Sequence, residues 1–494
     1  MSTAAGKAIH GTVLSVVTQF VSQLMRLISQ IVTAWYLSPS EFGVNGFLVV
    51  VTTGLWLVSD VGIGASVVRS ARDDDDFVDT AWTLSVVRGL ALFVLGALCG
   101  PVAAHVYGEP RLSWLLPFSS LMILFLSAES IQLYTLQRRM EIKRVLVVDL
   151  VSQAAGLCIS IPLAMQTGSV WALAASAVGS GFVRFLLSHT SLGGKRPRLR
   201  WDKAALGEIF SFGQWIFLST LLSFLAMRWD GISLPWLQGF ALFGIYNVAS
   251  IVTSVPREIA NQVTSMVLTP VLAAAFRASP DELRRRLASS RSAYLPAAML
   301  LFLGAATTAP AFFLLAYKNP EFHAAGPMAQ VLLVPMWFAF LQEASSRAMV
   351  ADGDGRGLAL TNGIKVGVTI LSTLVGFTLG GFQGFIAGSV LGALVGVVAV
   401  AVRLGQRGLP VLGGELGATA VFLGLGAVAC GGPLLLAPAL GVHAAWLTLA
   451  GCVVVCGPLF FVVVKRVKAV RAESVTWASD DDLPATKTPA AAAA

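Results

Sequence analysis

Between residues 10 and 464 the chain passes through one apolar run after another. Each holds roughly 18 or more nearly uncharged residues, long enough to cross hydrocarbon as a helix. Backbone in lipid must satisfy its own hydrogen bonds, which leaves helices or a closed barrel. Barrel strands alternate apolar and polar residues, whereas these runs are solid. The sequence therefore predicts an all-α membrane protein of about fourteen spans. They lie near 10–37, 42–68, 80–106, 113–137, 145–166, 169–189, 208–236, 240–275, 290–317, 324–349, 358–380, 382–403, 413–437 and 443–464. Of 494 residues, 56% are hydrophobic and 12% charged, too few charges to coat a soluble protein of this length.

The net charge of +8 does not read as a nucleic-acid footprint, because its placement is topological. If the N-terminus is cytoplasmic, the inner loops carry Arg138, Arg139, Lys143 and Arg144, then Lys195, Arg196, Arg198, Arg200 and Lys203, then Arg277 with Arg284 to Arg286. The tail adds Lys465, Arg466, Lys468 and Arg471, while the outer loops show little beyond Arg111 and Lys318. That bias puts both termini on the cytoplasmic side. A short polar lead runs straight into the first span, which then acts as its own insertion signal. Cys99, Cys158, Cys430, Cys452 and Cys456 all fall in or beside apolar helices and read as buried thiols.

One unit of the chain occurs twice. Gly11 opens an apolar helix that carries Met25-Arg26, then a break and Phe42-Gly43-Val44-Asn45. Gly213 opens another with Met227-Arg228, a break, and Phe243-Gly244-Ile245-Tyr246-Asn247. Arg26 lies fifteen residues after Gly11, and Arg228 fifteen after Gly213. More loosely, Gly96…Pro101…Tyr107 matches Gly304…Pro310…Tyr317, and Glu129 matches Glu343. Such a repeat reads as duplication, and in a membrane protein as two halves about a pathway. It divides the chain into an N-terminal lobe (1–192, six spans), a cytoplasmic linker (193–207), a second six-span lobe (208–405), a final helix pair (406–470) and a disordered tail (471–494).

Ionisable groups inside spans are costly unless they meet water or a counter-charge, so they are the candidate site. Arg26, Arg228 and Arg257 are the cations; Asp60, Asp230 and Glu258 are the acids. Arg88 is expected to snorkel to the inner surface, Ser40 to cap the second span, and Pro256 to favour a kink. Asp352-Gly353-Asp354-Gly355 lacks most calcium-loop positions and reads as a turn. Nothing calls for a metal or cofactor. The histidines sit at span ends without partners, and no nucleotide loop is visible, so the chain reads as a non-enzyme.

Leu37-Ser38-Pro39-Ser40-Glu41-Phe42-Gly43, Ser59-Asp60-Val61-Gly62-Ile63-Gly64, Leu136-Gln137-Arg138-Arg139-Met140-Glu141-Ile142-Lys143 and Phe243-Gly244-Ile245-Tyr246-Asn247-Val248-Ala249, in that order, resemble the bacterial polysaccharide transporter (oligosaccharide flippase) family. That family belongs to the multidrug, oligosaccharidyl-lipid and polysaccharide exporter superfamily. The resemblance implies an inner-membrane monomer that moves polyprenyl-diphosphate-linked repeat units from the cytoplasmic to the periplasmic leaflet by alternating access. It would serve O-antigen, capsule or exopolysaccharide synthesis. The two lobes would enclose a cationic cavity lined by spans one, two, seven and eight. Partners would be the lipid-linked glycan, membrane lipids, a coupling H+ or Na+ and the polysaccharide polymerase.

In that setting Arg26 and Arg228, with Arg257, are expected to hold the diphosphate. Asp60, Asp230 and Glu258 would be counter-ions or carry the coupling ion. The bland alternative is that Arg26–Asp60, Arg228–Asp230 and Arg257–Glu258 are only ion pairs. Rival functions are a peptidoglycan lipid-precursor flippase, a multidrug or cation antiporter of the same superfamily, and a membrane polymerase or ligase.

Overall fold

A computed structural model describes residues 4–58, 75–138, 142–192, 198–278, 280–431 and 443–479. Among these the chain is helical throughout: α1 Ala4–Thr33, α2 Pro39–Val58, α3 Asp75–Tyr107, α4 Leu112–Ser127, α5 Gln132–Arg138, α6 Ile142–Thr167, α7 Trp171–Thr190, α8 Lys203–Ala278, α9 Pro280–Ala316, α10 Ala325–Ala351, α11 Gly355–Gln406, α12 Leu412–Gly426 and α13 His443–Ser479. Ten segments are long and apolar enough to cross a membrane.

Two of the helices are far longer than a bilayer is thick and must reverse. In α8 the backbone leaves helical geometry at Gly239, at φ 77°, a value open to glycine. Tyr246 then reaches back to Asp230, sixteen residues earlier, with an O···O distance of 2.8 Å. A straight helix would hold those residues ~24 Å apart. In α11 the break is at Gly380-Gly381, and Ser372 Oγ donates to the Gly388 carbonyl at 2.7 Å. The chain stays helical through Pro256; the non-helical backbone within α8 is at Gly239.

Backbone proximity gathers the chain into two compact units. The first holds Met1–Val252, Phe312–Leu332 and Ala359–Val395; the second holds Thr253–Ala311, Leu333–Leu358 and Gly396–Ala494. In the first unit the hairpins α3–α4 and α6–α7 pack most extensively, with α7 on α4 and α1 on α6. Arg88 is half-buried, donating to the Trp56 carbonyl at 2.7 Å and lying over the Trp56 ring. Ser38, rather than Ser40, sits at the start of α2, accepting from Glu41 N–H at 3.5 Å, with Pro39 as the first helical residue.

The duplicated Phe-Gly pairs meet within this unit. A Cβ on Gly43 would lie 1.9 Å from the Phe240 carbonyl oxygen, and one on Gly244 would lie 1.8 Å from that of Pro39. The two backbones touch where the repeat places glycine in both. Aromatic contacts surround the crossing: Phe47 with Tyr107 and Phe240, and Phe42 with Phe322. Trp35 Nε1 donates to the Ala316 carbonyl at 2.8 Å, and the Lys318 ammonium lies over the Trp35 ring.

The fourth expected span is broken. After α4 the chain leaves the helix at Ala128 and resumes at Gln132. Side chains replace the lost backbone bonds: Trp82 Nε1 donates to the Glu129 carbonyl (3.0 Å), Ser188 Oγ accepts from Ser130 N–H (2.9 Å), and His189 Nε2 meets the Ala128 carbonyl (2.9 Å). Irregular backbone at this depth persists only where protein satisfies it.

In the second unit the 352–355 stretch is a turn. Asp354 accepts from Gly357 N–H at 3.0 Å to cap α11, and pairs with Arg403 (2.9 Å) and Arg407 (3.0 Å). Helix α13 continues to Ser479, past Arg471, where the sequence turns polar.

Candidate functional site

Two helices carry polar stripes at membrane depth. On α1, Val17, Phe20, Val21, Leu24 and Ile28 form an exposed apolar face. Gln23, Arg26 and Gln30 recur at spacings of three and four on the other side, with Arg26 roughly 180° round from that face at 100° per residue. Ser22 and Ser29 hold α1 against α6 through Gln153 (3.1 Å) and Ser160 (3.4 Å). The Arg26 guanidinium is exposed and makes no ion pair among the described residues. On the second arm of α8, Asn247, Ser250, Ser254, Arg257, Asn261 and Ser265 follow one another at spacings of three and four, so they share one face.

That second stripe leads into a polar cluster in the second unit. Arg257 Nη1 pairs with Glu343 Oε1 at 2.8 Å. Asn261 Nδ2 donates to Glu343 Oε2, and Arg347 Nη2 donates to the Asn261 carbonyl at 3.2 Å. One carboxylate thus pairs with Arg257 and acts electrostatically on Arg347. Arg257 Nε, Arg347 Nε and Asn261 Oδ1 are buried with no hydrogen-bond partner among the described residues. A cluster with surplus positive charge and unused donors can accept an anion, and the fork of a guanidinium matches phosphate oxygens.

The first unit holds a cluster of opposite balance. Arg184 Nε donates to Glu129 Oε1 at 2.6 Å, and its Nη1 pairs with Asp149. Here two carboxylates share one guanidinium. The broken backbone at Ala128–Ile131 is what brings the Glu129 carboxylate to α7.

The remaining sequence candidates are distributed as follows. Arg228 is exposed and makes no ion pair among the described residues, though it lies within electrostatic reach of Asp230. The Asp230 carboxylate is taken up by Tyr246 and by the Gly231 N–H, each at 2.8 Å, so it closes the α8 hairpin. Arg257 pairs with Glu343 and not with its neighbour Glu258, which is exposed. Asp60 lies outside the described residues. Sequence reasoning missed Arg184, Asp149, Asn261 and Arg347. The signal within reach was the three-and-four spacing after Asn247, together with Glu129 and Glu343 as matched acids needing partners.

Apolar helices of spanning length with ionisable groups gathered inside them define a multi-pass membrane protein. Residues 32–317, more than half of the chain, match the model of the family described as "Polysaccharide biosynthesis protein", and the chain belongs to that family. It is 22% identical over 250 residues to the "Succinoglycan biosynthesis transport protein ExoT" of Rhizobium meliloti (strain 1021), covering 50% of each chain. It is also 22% identical over 272 residues to the "Lipopolysaccharide biosynthesis protein WzxC" of Escherichia coli (strain K12), covering 54% of each. The chain thus spans about half the length of the curated relatives it matches.

Two solved structures share the fold. The "Lipid II flippase MurJ, inward closed conformation" superposes with a TM-score of 0.67 at 12% identity, covering 90% of this chain and 98% of that one. An inward-facing "multidrug resistance MATE family transporter of the MOP superfamily" gives 0.57 at 16%, covering 78% and 95%.

Proposed function

We propose that the protein flips polyprenyl-diphosphate-linked oligosaccharide repeat units from the cytoplasmic to the periplasmic leaflet of a bacterial inner membrane. It would do so by alternating access between two six-helix lobes within a chain of fourteen crossings, both termini being cytoplasmic. The observation that carries this reading is the base-rich cluster: Arg257 pairs with Glu343 and Arg347 lies within its electrostatic reach inside a membrane segment, with nitrogen donors left over. A diphosphate cannot cross hydrocarbon unaided, whereas its polyprenyl tail can remain in lipid. Fixed guanidiniums lower the cost of the headgroup at mid-membrane. Arg26, opposite the apolar face of α1, and Arg228 are two further exposed cations of the first unit, and we read the Gly43–Gly244 crossing with its aromatic surround as the periplasmic seal.

The family and the names of its relatives support a polysaccharide precursor as cargo. The peptidoglycan lipid-precursor flippase shares the diphosphate chemistry, and the antiporter reading shares the fold. A cation cargo fits a cluster with surplus arginine less well. Glu258 and Asp60 are candidate carriers of a coupling proton or sodium.

The test is complementation of polysaccharide export in a deletion strain. The double variant Arg26→Ala/Arg228→Ala is expected to insert at wild-type levels and to lose export. Full complementation by it would remove these two residues from the mechanism.

A further inference from the structure

A cavity of about 630 Å³ lies wholly within the second unit, between the N-terminal half of α9, the turn into α12 and the basic stretch of α13. Its mouth carries Arg284 and Arg466. Arg466 is exposed and makes no ion pair among the described residues. Arg284 donates to the Gly408 carbonyl at 2.7 Å, and its contact with the exposed Asp281 is a loose 3.3 Å. Deeper, Arg291 is neutralised by the buried Glu415 at 3.4 Å and tied to the Val411 carbonyl. Below the mouth the walls are apolar: Leu287, Leu295, Met299, Ala418 and Val462. From Arg284 to Met299 the groove follows α9 for ~22 Å, well into the ~30 Å hydrocarbon layer.

We infer that this groove binds one anionic glycerophospholipid of the cytoplasmic leaflet, its phosphate between Arg284 and Arg466 and one acyl chain against Leu287, Leu295, Met299 and Val462. Charge complementarity selects the occupant. A cationic rim above a dry apolar slot suits a molecule with phosphate at one end and hydrocarbon at the other. The slot has no polar group below Arg291, Ser292 and Glu415 that would hold a sugar. None of the residues lining it belongs to the Arg257 cluster, and the inference does not depend on the transport reading.

The test is native mass spectrometry of the full-length protein in detergent, titrated with phosphatidylglycerol and with phosphatidylcholine of the same acyl chains. Phosphatidylglycerol is expected to be retained in preference. Arg284→Gln/Arg466→Gln should weaken it roughly thirtyfold while leaving phosphatidylcholine unchanged. Met299→Trp, which fills the slot and keeps both cations, should weaken it as well. Equal retention of the two lipids, or unchanged phosphatidylglycerol binding by the double variant, would overturn the proposal. So would its displacement by equimolar polyprenyl phosphate, which would give the groove to the tail of a transported lipid.

Discussion

Glu129 and Glu343 match loosely in the sequence repeat, yet they are neutralised differently. Glu129 shares Arg184 with a second carboxylate, Asp149, and the arginine comes from α7. Glu343 faces Arg257 from α8 and has Arg347 one turn along its own helix. One cluster carries surplus negative charge and the other surplus positive charge. The acid recurs and the sign of the charge around it is reversed. The base-rich side is suited to a phosphorylated cargo, and the acid-rich side to a cation or to structure alone.

The largest contrast should appear in transport. Arg257→Ala/Arg347→Ala removes both guanidiniums and is expected to lower leaflet inversion on the order of a hundredfold, from two charge-assisted contacts. Glu129→Gln is expected to change it less than about threefold, because the amide still accepts from Arg184. Flux assays on the two variants in parallel would break the comparison if the effects were reversed.

Stability should show the opposite order. Arg184→Ala leaves two carboxylates facing each other and is expected to cost about 3 kcal/mol, seen as a lower midpoint of thermal unfolding in detergent. Glu343→Gln should cost about 1 kcal/mol, since the amide keeps an acceptor and the site is partly open to solvent. This variant also raises the net positive charge, so polyprenyl diphosphate should bind it more tightly than wild type in an equilibrium titration.

The smallest effect lies outside both clusters. Arg403 beside Asp354 holds that carboxyl below the usual carboxylate range, helped by the Gly357 N–H. The folded value lies under the unfolded one, so this contribution is complete above the ordinary pKa of about 3.9. It disappears as pH falls through the lowered folded value. Protection against hydrogen exchange at residues 352–357, relative to the intrinsic rate at each pH, should therefore fall on acidification below about pH 4. Asp354→Asn should abolish that pH dependence.

The helical class and the family were legible because lipid forces a local, repetitive solution on each span. The crossing of Gly43 and Gly244 was half legible: the duplicated Phe-Gly pairs stood out, but only backbone coordinates show them touching. The charge partners were hidden by sequence distance. Arg257 looked paired with the adjacent Glu258, yet neighbours on a helix point apart, and its carboxylate comes from Glu343 on α10. Arg184 carried no signal of its own in the sequence; its carboxylate comes from Glu129, 55 residues earlier, at the break after α4.

The most direct measurement is leaflet inversion of a fluorescent polyprenyl-diphosphate oligosaccharide in vesicles containing the purified protein alone. Wild type should expose the probe to the opposite leaflet, Arg257→Ala/Arg347→Ala should not, and Glu129→Gln should behave as wild type. Equal inversion by wild type and the double arginine variant would contradict the account.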